Sequence, residues 1–135
     1  MTTSSRVLIV EDEAELLDEV ASYFRRRGET VLTAASYNDG LKALDSVPAI
    51  EVLISDARMP DGNGIDLIRT QVKRDKDCVC ILMTGHLEQS QIASDLQGVK
   101  IFFKPFAVSA LHREVRAALS GGVVTDIGRA SERAA

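Results

Sequence analysis

The chain has no surplus of positive charge, no long hydrophobic run and very little cysteine, and each shortage removes a class of function. Its 16 Lys and Arg are outnumbered by 20 Asp and Glu, for a formal charge of −4. Such a surface offers no basic field to nucleic acid or to anionic lipid. No apolar stretch is long enough to span a bilayer, and the opening MTTSSR lacks the apolar core of a signal peptide. The expected location is therefore the cytoplasm, without membrane contact. The two cysteines stand as Cys78-Val79-Cys80, which is neither a CxxC redox motif nor a disulfide framework. Both are expected to face one side of a buried strand as small apolar residues. A glycine-rich phosphate loop ending in Lys-Ser or Lys-Thr is missing, which argues against nucleotide binding. Internal repeats, low-complexity tracts and a helix-turn-helix are missing too.

What the sequence does contain is a regular alternation. With 135 residues and 45% hydrophobic content, one domain can bury its own core. Short apolar runs at residues 7–10, 30–34, 52–55, 79–83 and 99–103 read as strands, the first with no polar alternation, as in a parallel sheet buried on both faces. Amphipathic segments follow each run. The first, about 13–27, aligns Leu17, Val20, Ala21 and Phe24 and ends at Gly28. The second opens at Ser36, an N-cap residue, and carries Leu41 and Leu44. The third starts near Gly64 with Ile65, Ile68 and Val72, and the fourth spans about 87–96 with a weaker stripe. The fifth, about 107–119, aligns Val108, Leu111, Val115 and Ala118. Alternating strand and helix with short joints predicts a doubly wound α/β sheet of five parallel strands with five helices. The domain is expected over residues 1–120, with 121–135 as a tail or linker.

The first run leads straight into three acids, as Val7-Leu8-Ile9-Val10-Glu11-Asp12-Glu13. In an open parallel sheet, ligands bind beyond the C-terminal strand ends. Strand one brings Glu11 and Asp12 there, strand three brings Asp56, strand four Thr84 and strand five Lys104. Clustered carboxylates suit a hard divalent cation such as Mg²⁺, and an ammonium and a hydroxyl suit an anionic group arriving at one free acid. The sum points to phosphoryl transfer to an aspartate.

Glu11-Asp12, Asp56 followed by Met59-Pro60, Thr84-Gly85 and Lys104-Pro105-Phe106, in this order, resemble the receiver domain of two-component response regulators. The resemblance covers about residues 6–119. It implies a flavodoxin-like fold with strand order 2-1-3-4-5, a cis Lys104–Pro105 bond, and a histidine kinase or phosphotransfer protein as partner. It implies Asp56 as phosphoacceptor, with Thr84 and Lys104 contacting the phosphoryl group. Asp12, Asp56, Glu11 and the backbone carbonyl of Arg58 are the implied Mg²⁺ ligands, and Arg58 and His86 flank the path of attacking water.

Other residues have plainer expectations. Glu13 reads as a first-turn helix acid favoured by the macrodipole. The stretch 59–64, MPDGNG, reads as a turn whose two glycines supply positive φ. Phe102, Phe103 and Phe106 are expected in the core, and His86 and His112 at the surface. Receivers usually carry Tyr or Phe where this chain has Ile101. The leading function is therefore a phosphorylation-controlled switch, acting on an output domain or a protein target. The alternative is a receiver-like interaction module with switching lost or altered. A phosphohydrolase ranks last, because Arg58 stands where its second Asp would be.

Overall fold

Strands made of Val, Leu and Ile on both faces have to sit inside a sheet with covered faces, and they do. The computed structural model describes residues 6–85 and 98–120, in two compact units that divide after Pro105. The elements of the first unit are β1 (Arg6–Val10), α1 (Ala14–Arg26), β2 (Thr30–Ala34), α2 (Tyr37–Ser46) and β3 (Val52–Asp56), followed by β4 (Arg58–Met59), β5 (Gly62–Asn63), α3 (Gly64–Arg74), β6 (Val79–Thr84) and β7 (Lys100–Phe103). The second unit holds α4 (Val108–Leu119). The predicted helix at 87–96, His86 and the tail at 121–135 lie outside the described residues.

Five strands pair in parallel in the order β2-β1-β3-β6-β7. With the two-residue β4 and β5 set aside, this is the predicted order 2-1-3-4-5. Leu8, Ile9, Leu53, Ile54, Ile81 and Leu82 are fully buried on the three central strands. Each contributes roughly 1.5–3 kcal/mol by leaving water, which holds together the platform beneath the strand ends. Side chains alternate between the faces. Leu8, Val10, Leu53, Cys80 and Leu82 join Leu44, Ile65, Leu67 and Ile68 of α2 and α3 in one cluster. Val7, Ile9 and Ile54 point the other way, where α1 lies against β1 and β2 and buries Val20, Ala21 and Phe24. Cys78 and Cys80 share one side, as expected, and pack toward α2 and α3. Only Cys80 lies within β6 and is buried; Cys78 stands just before the strand and is half-buried.

Local signals explain the helix limits. Gly28 adopts φ +93° just past α1 and donates its N–H to the Arg25 carbonyl at 3.0 Å, the left-handed stop that glycine tolerates best. Ser36 caps α2 by accepting the Asp39 N–H at 3.1 Å, and Asn63 caps α3 by accepting the Ile65 N–H at 2.8 Å. In the second unit, α4 buries Val108, Leu111 and Val115, the spacing of a single helical stripe.

The segment 59–64 differs from the sequence reading. It forms a small antiparallel ladder, Arg58 opposite Asn63 and Met59 opposite Gly62. Its glycines do not have positive φ; the only described glycines that do are Gly28 and Gly98. They are required by proximity instead. A Cβ at Gly62 would run into the Tyr37 ring, and one at Gly64 into the Asp56 carbonyl oxygen.

Candidate functional site

The residues that end the strands converge on one edge. Glu11 follows β1 directly, and its N–H donates to the Ala34 carbonyl of β2 at 3.0 Å. Asp56 is the last residue of β3 and pairs with Met83; Thr84 is the last of β6 and pairs with Phe103. Both strands run one residue beyond their apolar runs, so each polar residue inherits the rigidity of the ladder. Lys104 follows β7, its N–H donating to the Thr84 carbonyl at 2.8 Å, and the Lys104–Pro105 bond is cis, as expected. Glu11 is 1%, Asp56 7% and Thr84 2% exposed, whereas Asp12 and Arg58 are exposed.

Lys104 ties the edge together. Its Nζ lies 2.9 Å from Glu11 Oε1 and 3.2 Å from Asp56 Oδ1. Glu13 Oε1 stands 3.8 Å away, so Glu13 borders this edge as well as the N-terminus of α1. It is the N-cap residue of α1, makes no side-chain cap, and gives its N–H to Glu11 Oε2 at 3.0 Å. Its place as the third member of the acid run was the signal available in the sequence.

Oxygen atoms of Glu11, Asp12 and Asp56 lie within 4.8 Å of one another. Two ligands on one Mg²⁺ stand about 3–4 Å apart, given Mg–O bonds of about 2.0–2.1 Å. A small closure would therefore bring the three into reach of one ion, and the all-oxygen donor set suits a hard cation. The exposure of Asp12 leaves that side open to water ligands, which Mg²⁺ retains. Arg58 begins β4 two residues beyond Asp56, with its side chain facing solvent.

The electrostatics show that one lysine does not fully offset the burial of two carboxylates. Burial pushes the Glu11 carboxyl above its usual range, and the hydrogen bond from Lys104 offsets only part of this. Asp56 is raised in the same way, first by burial and further by Asp12, against the attraction of Lys104. For Lys104, burial opposes the charge, but Glu11 and Asp56 outweigh it and raise the ammonium. A carboxyl that holds its proton more tightly in the folded state contributes stability below its unfolded-state pKa and loses it as pH rises through the folded value. Ionised Asp56 therefore costs stability at neutral pH. In EDTA, Asp56→Asn should melt above the wild type, and the difference should shrink as pH is lowered toward the carboxylate range. A variant melting at or below the wild type across that range would contradict this electrostatic picture.

Further placements differ from expectation or refine it. Phe103 is 54% exposed on β7, the last strand of the sheet among the described residues, so it is not a core residue; Phe102 and Phe106 are half-buried. Ile101 pairs with Leu82 and packs, partly buried, against the α2–α3 cluster. His112 lies half-buried on α4. No helix among the described residues is long and apolar enough to cross a membrane.

Known proteins resemble this chain. The chain is 32% identical over 95 residues to the photosynthetic apparatus regulatory protein RegA of Cereibacter sphaeroides, covering 70% of this chain and 50% of that protein. It is 31% identical over 120 residues to the C4-dicarboxylate transport transcriptional regulatory protein DctD of Rhizobium meliloti, covering 87% of this chain and 26% of that one. The chain thus spans half or less of the length of these relatives. A response regulator receiver domain protein from Clostridium thermocellum superimposes with a TM-score of 0.76 at 27% identity, over 86% of this chain and 94% of that one. The response regulator receiver domain family model matches residues 7–116, and the chain belongs to that family.

Proposed function

We propose that this domain is a phosphorylation-controlled signalling switch that accepts a phosphoryl group on Asp56 from a histidine kinase or phosphotransfer protein. The observation that carries the proposal is Lys104, held by Glu11 and Asp56 at 2.9 and 3.2 Å within a cluster of three carboxylates. A purely structural lysine at a sheet edge would not need two buried acids.

Each residue then has a task. An Asp56 oxygen attacks phosphorus, the bond from phosphorus to the donor imidazole nitrogen breaks, and its electron pair stays on that nitrogen. Lys104 Nζ, already beside Asp56, neutralises charge on the incoming phosphoryl oxygens, and the Thr84 hydroxyl donates to one of them. Glu11, Asp12, Asp56 and the Arg58 carbonyl would hold Mg²⁺. When bound, the ion offsets the negative charge shared by the acids and the phosphoryl group. Water later attacks phosphorus, the bond from phosphorus to the Asp56 oxygen breaks with its electron pair left on the carboxylate, and inorganic phosphate leaves. The domain is thus an acceptor that promotes its own phosphorylation and dephosphorylation, not a metabolic enzyme. Residues 121–135 act as a tail or linker, and the output is a further domain or a protein target, as the regulatory names of the relatives suggest. This work takes place in the cytoplasm.

A second reading rests on Ile101. A β-branched residue packed in the core cluster has little freedom at χ1 and no hydroxyl to exchange partners, which favours an interaction module with altered switching.

Acetyl phosphate with Mg²⁺ separates the two. The switch predicts an intact-mass gain of one phosphoryl group, lost with EDTA and absent in Asp56→Asn. A wild type that gains no mass would favour the interaction module.

A further inference from the structure

The hairpin that follows Asp56 is bound to a second helix by one carboxylate. Asp61, between β4 and β5, accepts the N–H of Tyr37 through Oδ1 at 2.9 Å and that of Asn38 through Oδ2 at 3.0 Å. These are the first two residues of α2, whose third N–H goes to Ser36 Oγ. The start of α2 is thus capped jointly by its own serine and by an acid 23–24 residues away. The N–H bonds hold the Asp61 carboxyl below the usual range, and negative charge at a helix N-terminus is favourable.

The contact is reinforced next door. The Tyr37 ring lies so close over Gly62 that no Cβ fits between them. At the other end of the hairpin, Gly64 donates its N–H to the Ala57 carbonyl at 2.8 Å. Residues 57–64 are therefore pinned at their base by Gly64 and at their tip by Asp61. Arg58 lies between the two pins, paired with Asn63.

We infer that Asp61 is a positioning residue for the divalent-cation site, a latch that holds the hairpin against α2 and so fixes the backbone at Arg58. The inference rests on the Mg²⁺ site proposed above. Asp61 itself need not touch the ion.

The test is Mg²⁺ titration of the intact chain by calorimetry. Outer residues that orient metal ligands typically cost 10–100-fold in affinity when removed, so Asp61→Ala should weaken Mg²⁺ binding about tenfold. Asp61→Asn, which keeps one accepting oxygen, should fall between. Ser36→Ala removes a cap from the same helix end without touching the hairpin, and its Mg²⁺ affinity should match the wild type. Wild-type affinity in Asp61→Ala, or an equal loss in Ser36→Ala, would overturn the latch. Should the wild type itself show no saturable Mg²⁺ response, the cation-site reading fails separately. Amide exchange then decides the latch. Faster exchange at 58–64 in Asp61→Ala than in Ser36→Ala supports it, and equal exchange overturns it.

Discussion

Lys104→Ala is expected to slow phosphorylation by acetyl phosphate about 10²–10³-fold, the usual consequence of removing one charge-stabilising donor from a buried site. The lysine sits between Glu11 and Asp56 before any phosphoryl group arrives, so it needs little reorganisation to meet one. Its removal has a second consequence. Glu11 is only 1% exposed and would lose the hydrogen bond that offsets its burial, so it would hold its proton still more tightly. Leaving such a group unpaired costs about 1–3 kcal/mol. The Lys104→Ala variant should therefore melt below the wild type in EDTA and recover part of the difference in Mg²⁺, which can replace the missing positive charge. Phosphorylation within tenfold of the wild type would mean that Lys104 is a structural ion-pair partner and no more.

Gly64→Ala should produce the largest loss of stability among single changes near the site. The added Cβ would overlap the Asp56 carbonyl oxygen and press on Ser55 Oγ at 2.6 Å. The first obstacle is backbone at the end of a fully buried strand, so it cannot turn aside as a flexible side chain would. Overpacking of this kind costs about 3 kcal/mol or more. At about 4 °C per kcal/mol for a domain of this size, the melting temperature should fall by roughly 12 °C. Any folded fraction would have Asp56 displaced and should phosphorylate poorly. A variant that melts within about 3 °C of the wild type would show that β3 and α3 can separate at small cost.

Much of this site could be read from the residues because the architecture constrains where chemistry can stand. Five apolar runs identified the sheet, and polar residues at their C-terminal ends, Glu11, Asp56, Thr84 and Lys104, then had to share an edge. Caps with a local signature were equally legible, as Ser36 and Gly28 show. What escaped depends on contacts without a local pattern. The reach of Asp61 to Tyr37 and Asn38 spans 23–24 residues. Gly62 and Gly64 resembled ordinary turn glycines, yet a neighbouring ring and a carbonyl oxygen are what demand them. Phe103 carries the same apolar signal as its neighbours, yet it is exposed on the last strand of the sheet among the described residues. The place of Glu13 at the start of α1 follows from position along the chain, whereas its distance to Lys104 depends on two separate strand ends.

The central claim is that the phosphoryl group resides on Asp56. Borohydride reduces an acyl phosphate to an alcohol, so a phosphorylated aspartate becomes homoserine while free carboxylates are unchanged. The chain should be treated with acetyl phosphate and Mg²⁺, reduced, digested and sequenced by mass spectrometry. The account predicts homoserine at position 56 and at no other aspartate, including Asp12 and Asp61. Homoserine elsewhere with Asp56 intact, or no conversion in a chain that has gained phosphoryl mass, would contradict it.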